Sequence, residues 1–222
     1  MNAKQISKAT GSLILLGMIA GIFSVAPAID STDYLTLGAA NFNQVILAAI
    51  FQLLMSLTYM GIAILLYPII RGFNTHLSLG FLSFRIIAVT LSIVGTLLLL
   101  STLILSQDFT AQLPSTNIAR YEIIGHLLKS MRDYINHVFM VVVLCLGNIF
   151  LYLTFIKSKL IPRWLSIFGI ISCSLSVLAS LLVLFGRMDI ITPEYLLLNA
   201  PTGIQELTLA FWLIFKGLNY SK

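Results

Sequence analysis

The sequence predicts an all-α, polytopic transmembrane helix bundle of six spans with both termini on the cytoplasmic side. Three observations carry this reading. Of 222 residues, 59% are hydrophobic and 9% are charged, against about a quarter charged in an ordinary soluble domain. The mean hydropathy is +1.00. The charges sit in short clusters between long apolar runs, so too few polar residues remain to cover a soluble surface, and lipid is the solvent that matches the exterior.

A helix crosses roughly 30 Å of hydrocarbon with about 20 apolar residues. Polar boundaries mark off six such segments, within a single transmembrane domain covering 1–222. The first covers about 11–29, after Lys4 and Lys8, the second about 45–70, up to Arg71, and the third about 77–106. The fourth covers about 134–156, and the mixed-charge stretch 117–133 before it reads as a helical extension beyond the membrane. The fifth covers about 161–185 and the sixth about 193–216. Thr192-Pro193-Glu194 is a helix start, with a capping hydroxyl and proline at the first helical position. Pro201 then predicts a kink or break over 199–203, because proline lacks a backbone donor and displaces the carbonyl of Leu197. Ala26-Pro27-Ala28 imitates a signal-peptidase site, but its proline argues against cleavage, and the first segment is read as a retained span.

Orientation follows from Lys and Arg, which cytoplasmic loops retain. With the N-terminus inside, the cytoplasmic flanks hold Lys4, Lys8, Arg71, Lys157, Lys159, Arg163, Lys216 and Lys222, with no acidic residue among them. The opposite side is acidic or mixed: Asp30 and Asp33, then Asp108, Arg120, Glu122, Lys129, Arg132 and Asp133, then Arg187, Asp189 and Glu194. The net charge of +5 is therefore a topology signal. No basic stripe or aromatic-interleaved basic patch points to nucleic acid. Cys145 and Cys173 lie inside apolar runs and read as small hydrophobes, giving neither a disulfide framework nor a metal knuckle.

A charge inside a span costs on the order of 3 kcal/mol, so each one is a candidate for function. Arg85 lies roughly 12 Å, Asn148 roughly 13 Å and Glu206 roughly 15 Å from the cytoplasmic edge, at 1.5 Å per residue. Three polar groups from three helices thus share one depth, as a buried polar cluster or ligand cavity requires. Side chains lean toward the helix N-terminus, so Arg85 tilts inward and Glu206 outward, and direct pairing needs an extended arginine or a bridging water. Two bland readings stand beside the cavity: a structural Arg85–Glu206 ion pair, and an Arg85 that snorkels to the interface.

His126, Ser130, Asp133 and His137 follow one another at four, three and four residues, which puts them on one helical face on the outer side. An acid and a histidine one turn apart are a fragment of a metal site. With no second motif to complete it, the face reads as an interfacial polar surface. Gly17 and Gly21 form a small-xxx-small pair that admits a close helix, either within the chain or in a homo-oligomer. Tyr59, Tyr67, Tyr134, Tyr152, Trp164, Trp212 and Tyr220 suit an aromatic belt. No phosphate-binding loop, nucleophile elbow or zinc-protease helix occurs, so no catalytic residue, metal or cofactor is assigned.

Two stretches carry a family resemblance. I-K-S-K-L-I-P-R-W-L-S-I-F-G, from Ile156 to Gly169, and P-T-G-I-Q-E-L-T-L-A-F-W-L-I-F-K-G, from Pro201 to Gly217, resemble signatures of the bacterial family catalogued as domain of unknown function 4386. The resemblance singles out Ser158, Pro162, Trp164, Glu206, Trp212 and Lys216, and Arg85 in Ser83-Phe84-Arg85 is similar to that family's third-span arginine. It implies a small six-span protein of the bacterial cytoplasmic membrane, with no activity assigned. The readings that follow are, in order, a bundle whose polar layer binds a small or lipidic ligand or couples a transport step, a scaffold or stress-related partner of other membrane proteins, and an intramembrane lipid-acting enzyme using Asp133 and His137. Membrane lipid is the expected surround.

Overall fold

The computed structural model describes residues 2–112 and 117–219. Tyr220 of the expected aromatic belt and Lys222 of the basic flank lie outside the described residues. Among these, the chain forms nine α-helices and one π-helical turn. Helix α1 (Ala3–Phe23) leads through two short helices, α2 (Pro27–Asp30) and α3 (Tyr34–Ala40), into α4 (Phe42–Ile70). Helix α5 (Thr75–Ala111) is the longest. Helix α6 (Ile118–Asp133), the π-helical turn Tyr134–Phe139 and α7 (Met140–Ser158) follow one another without a break, so the mixed-charge stretch does extend the fourth span. Helices α8 (Arg163–Leu184) and α9 (Pro193–Phe215) complete the chain.

Each end is chemically marked. The Asn2 side chain and the Gln5 side chain close a reciprocal capping box on α1. Asn74 caps α5 and Thr192 caps α9, with Pro193 at its first turn. Lys159, in the left-handed conformation, ends α7, and Pro162 leads directly into α8.

Contacts run α1 to α4, α4 to α5, α5 to α7, α7 to α8, α8 to α9, and α9 back to α1, closing a ring of six long helices. Short connections make successive helices antiparallel neighbours. Ser7 at the start of α1 accordingly donates to the Leu213 carbonyl near the end of α9, at 2.9 Å.

Five helical runs are long and apolar enough to cross a membrane: Ala3–Phe23, Phe42–Ile70, Thr75–Ala111, Ile118–Ser158 and Arg163–Leu184. Helix α9 belongs to the ring but is less apolar, because Asn199, Pro201, Gln205 and Glu206 lie along it. Of the kink or break expected at Pro201, the break does not occur: α9 runs on as one helix. Thr202, the next residue, donates to the Ser172 carbonyl at 3.1 Å and meets Ser176 Oγ at 2.7 Å, which ties this turn to α8.

Burial is inverted relative to a soluble protein. Ser56, Ser92, Ser166, Ser172, Ser176 and Ser180 are buried, whereas Ile22, Leu57, Ile64, Leu97, Ile104 and Phe215 are exposed. Small residues at helix contacts and large apolar ones outside are what a bilayer selects, since lipid gives apolar side chains no reason to turn inward. The molecule is a membrane-embedded helical bundle. The Gly17–Gly21 pair is used within the chain: a Cβ on Gly17 would lie 2.6 Å from Thr58 Oγ1, and one on Gly21 would lie 3.4 Å from Met55 Sδ, both on α4. The aromatic expectation divides. Trp164 and Tyr134 are exposed, but Tyr152 is a core residue and donates to Gln205 Oε1 at 2.7 Å.

Candidate polar cavity

Five helices converge on a cavity of about 110 Å³. Arg85 from α5, Asn148 from α7 and Glu206 from α9 line it together, with Tyr59 from α4 and Tyr152 from α7. The three polar residues predicted to share a depth do surround one space. Its remaining wall is apolar, supplied by side chains such as Met18, Ile62, Leu66 and Leu209.

The local packing explains how Arg85 gets there. Gly147 has no side chain where a Cβ would meet Phe84 Cβ at 3.1 Å, so α5 and α7 approach closely beside the arginine. Arg85 Nη2 donates to Asn148 Oδ1 at 2.6 Å, and the guanidinium lies 5.3 Å from the Tyr59 ring centroid and 5.4 Å from that of Phe81. Arg85 Nε is buried with no hydrogen-bond partner among the described residues. The arginine therefore neither snorkels nor meets a carboxylate.

Among the described residues the salt bridge is Arg132–Asp30, and none joins Arg85 to Glu206. Glu206 is half-buried and receives no hydrogen bond from a described residue, while lying within electrostatic range of Arg85, Tyr59 and Tyr152. A guanidinium and a carboxyl group line one small cavity with no ion pair between them.

The outer face predicted from His126, Asp133 and His137 does not act as a unit. His126 is exposed on α6, whereas Asp133 and His137 line a second, open cavity of about 550 Å³. His137 Nδ1 lies 3.3 Å from Tyr195 Oη, and its carbonyl accepts from Ser180 Oγ at 2.9 Å. No three His, Cys, Asp or Glu residues gather to hold a metal among the described residues.

Sequence reasoning missed the partners that shape this second cavity. Arg132 Nη1 lies 2.6 Å from Asp30 Oδ1, and Lys129 Nζ donates to the Ser31 carbonyl at 2.7 Å with its charge 4.4 Å from the Tyr34 ring centroid. Gln52 Nε2 donates to the Ser92 carbonyl and to Asn136 Oδ1, both at 3.2 Å. Asn136 fits because residue 95 is glycine, whose missing Cβ would occupy the space of that amide. A buried glutamine and asparagine in apolar spans were the available signal.

Fold and site together define a helical membrane protein built around a buried polar cavity. The chain belongs to the family described as Domain of unknown function (DUF4386), whose model matches residues 9–217. That stretch includes Arg85, Glu206, Trp212 and Lys216. Neither the curated proteins nor the solved structures yield a match.

Proposed function

We propose that this chain is a six-span, single-domain protein of the bacterial cytoplasmic membrane, N-in and C-in, that binds a small ligand between Arg85 and Glu206. Helix α9 is the sixth span in this reading. The basic flanks favour the orientation, since Lys4, Lys8, Arg71, Lys157, Lys159, Arg163 and Lys216 would all face the cytoplasm. The observation that carries the ligand is a carboxylate with no hydrogen bond from a described residue, facing the same space as a guanidinium whose buried Nε has no partner among the described residues. Unmatched polar groups of opposite sign are costly in an apolar bundle and become favourable when a ligand matches both.

Size limits the ligand. An apolar cavity of about 150 Å³ accepts benzene, so about 110 Å³ takes roughly five heavy atoms. The chemistry asks for an acceptor at Arg85 and a donor at Glu206, with Asn148 fixing the guanidinium. Compact zwitterions and primary amides meet both demands, and a whole lipid does not fit.

A thermal-shift screen of purified protein with glycine, alanine, acetamide and urea tests this. A ligand that binds only the folded state adds about 2.7 kcal/mol at a hundred times its Kd. We expect at least one of these compounds to raise the melting temperature of the native chain, and the effect to vanish in Glu206→Gln, itself still folded. Stabilisation by none of them, or stabilisation that survives both Glu206→Gln and Arg85→Met, contradicts the reading.

A further inference from the structure

Two cavities in this bundle share a wall. The larger one opens at the end of the bundle that carries Asp30, between the C-terminal part of α1, the π-helical turn and the Ile190–Ile191 loop. The smaller is the Arg85–Glu206 cavity. Gly21 of α1 and Met55 of α4 line both. At that position α1 offers no side chain, and Met55 Sδ stands 3.4 Å from where a Cβ on Gly21 would be. The partition is therefore built from a single unbranched thioether with three rotatable bonds, among the easiest core side chains to move aside.

We propose that the larger cavity is the entry vestibule of the Arg85–Glu206 site, that Met55 is its gate, and that the vestibule admits compact molecules without net charge. This rests on the ligand-binding and N-in readings above. The charge argument comes from the lining: Lys129 and Arg132 are balanced by Asp30 and Asp133. Arg132 and Asp30 are already paired at 2.6 Å, and Lys129 is held by the Ser31 carbonyl. A vestibule of one sign would concentrate ions of the other; a balanced one does neither. At its inner end the amides of Gln52 and Asn136 replace the charges, offering hydrogen bonds without a field that holds an ion.

The geometry also gives the gate a direction. Met55 and Ile62 lie seven residues apart on α4, roughly 10 Å along the helix, and Ile62 belongs to the inner cavity alone. A molecule passing Met55 from the vestibule enters the space lined by Met18, Tyr59, Ile62 and the polar groups.

Thiol accessibility in intact cells tests the route independently of any ligand. Cys145 and Cys173 are buried and are replaced by alanine. Single cysteines are then placed at Val141 in the vestibule and at Ile62 in the inner cavity, with Met18→Cys as a second inner position. The probes are externally added, membrane-impermeant methanethiosulfonates carrying a trimethylammonium or a sulfonate group at 141, and the small, uncharged methyl methanethiosulfonate for comparing 141 with the inner positions.

Three results are expected. The cysteine at 141 reacts with both charged reagents at rates within about tenfold of each other, after correction for their rates with a free thiol, since a site of one sign separates them by about 10- to 1000-fold. The inner cysteine reacts more slowly than the one at 141 and faster when Met55→Ala is added. Met55→Trp abolishes labelling at 62 and 18 while leaving 141 unchanged. Inner labelling that ignores both Met55 substitutions overturns the gate. Labelling of 141 only from the cytoplasmic side overturns the entry direction, and a strong preference for one charged reagent overturns the neutral-ligand claim. None of these outcomes depends on the thermal-shift screen, so route and binding site fail separately.

Discussion

Two arginines in this molecule are almost equally hidden, with relative exposures of 5% for Arg85 and 7% for Arg132, yet their surroundings differ in kind. Arg132 has a carboxylate at 2.6 Å. Arg85 has an amide oxygen at 2.6 Å, two aromatic faces and a carboxylate that stays out of contact. Each leaves its Nε without a hydrogen bond to a described residue, so the difference lies in the counter-ion. A buried cation paired directly fastens two segments, here the ends of α2 and α6, far apart in sequence. A buried cation held beside an unpaired anion is the expensive arrangement, and it persists where something outside the protein completes it.

Breaking the paired arginine should have the largest effect. Arg132→Met leaves Asp30 without its partner and should lower stability by about 2 kcal/mol, short of the roughly 3–5 of a fully buried pair because Asp30 keeps contact with solvent. Thermal unfolding in detergent reads this, and adding Asp30→Leu should recover most of the loss. The second arginine should matter less to the fold: Arg85→Met frees Asn148 Oδ1 but removes an uncompensated charge, for a net change of no more than about 1 kcal/mol in either direction. The smallest effect is expected from Glu206→Gln, within about 0.5 kcal/mol, because that carboxylate accepts no hydrogen bond from a described residue that could be lost. Equal losses for Arg85→Met and Arg132→Met would erase the distinction between a fastener and a site.

Much of this was legible in the residues. The long helices follow from hydropathy and capping alone, and the clustering of Arg85, Asn148 and Glu206 follows from counting residues from the basic flanks. Contact was not legible, because depth fixes one coordinate and leaves the rotation of each helix open. That is why Arg85 could be placed beside Glu206 in depth while its guanidinium went to Asn148. The Asp30–Arg132 bridge spans 102 residues of chain and has no local signature. The π-helical turn was equally silent: no residue type marks it, yet it carries Asn136 and His137 into the vestibule wall. At Pro201 the break is absent, and the contacts from Thr202 to α8 that tie this turn in place have no signature that a proline rule read from sequence could use.

The central claim is that the space between Arg85 and Glu206 is a polar, occupied cavity. The most direct measurement is a density map of the protein in lipid nanodiscs at a resolution that reveals ordered water. The account predicts density for water or a small molecule between the Arg85 guanidinium and the Glu206 carboxylate. A dry, closed layer with the two side chains in direct contact would contradict it.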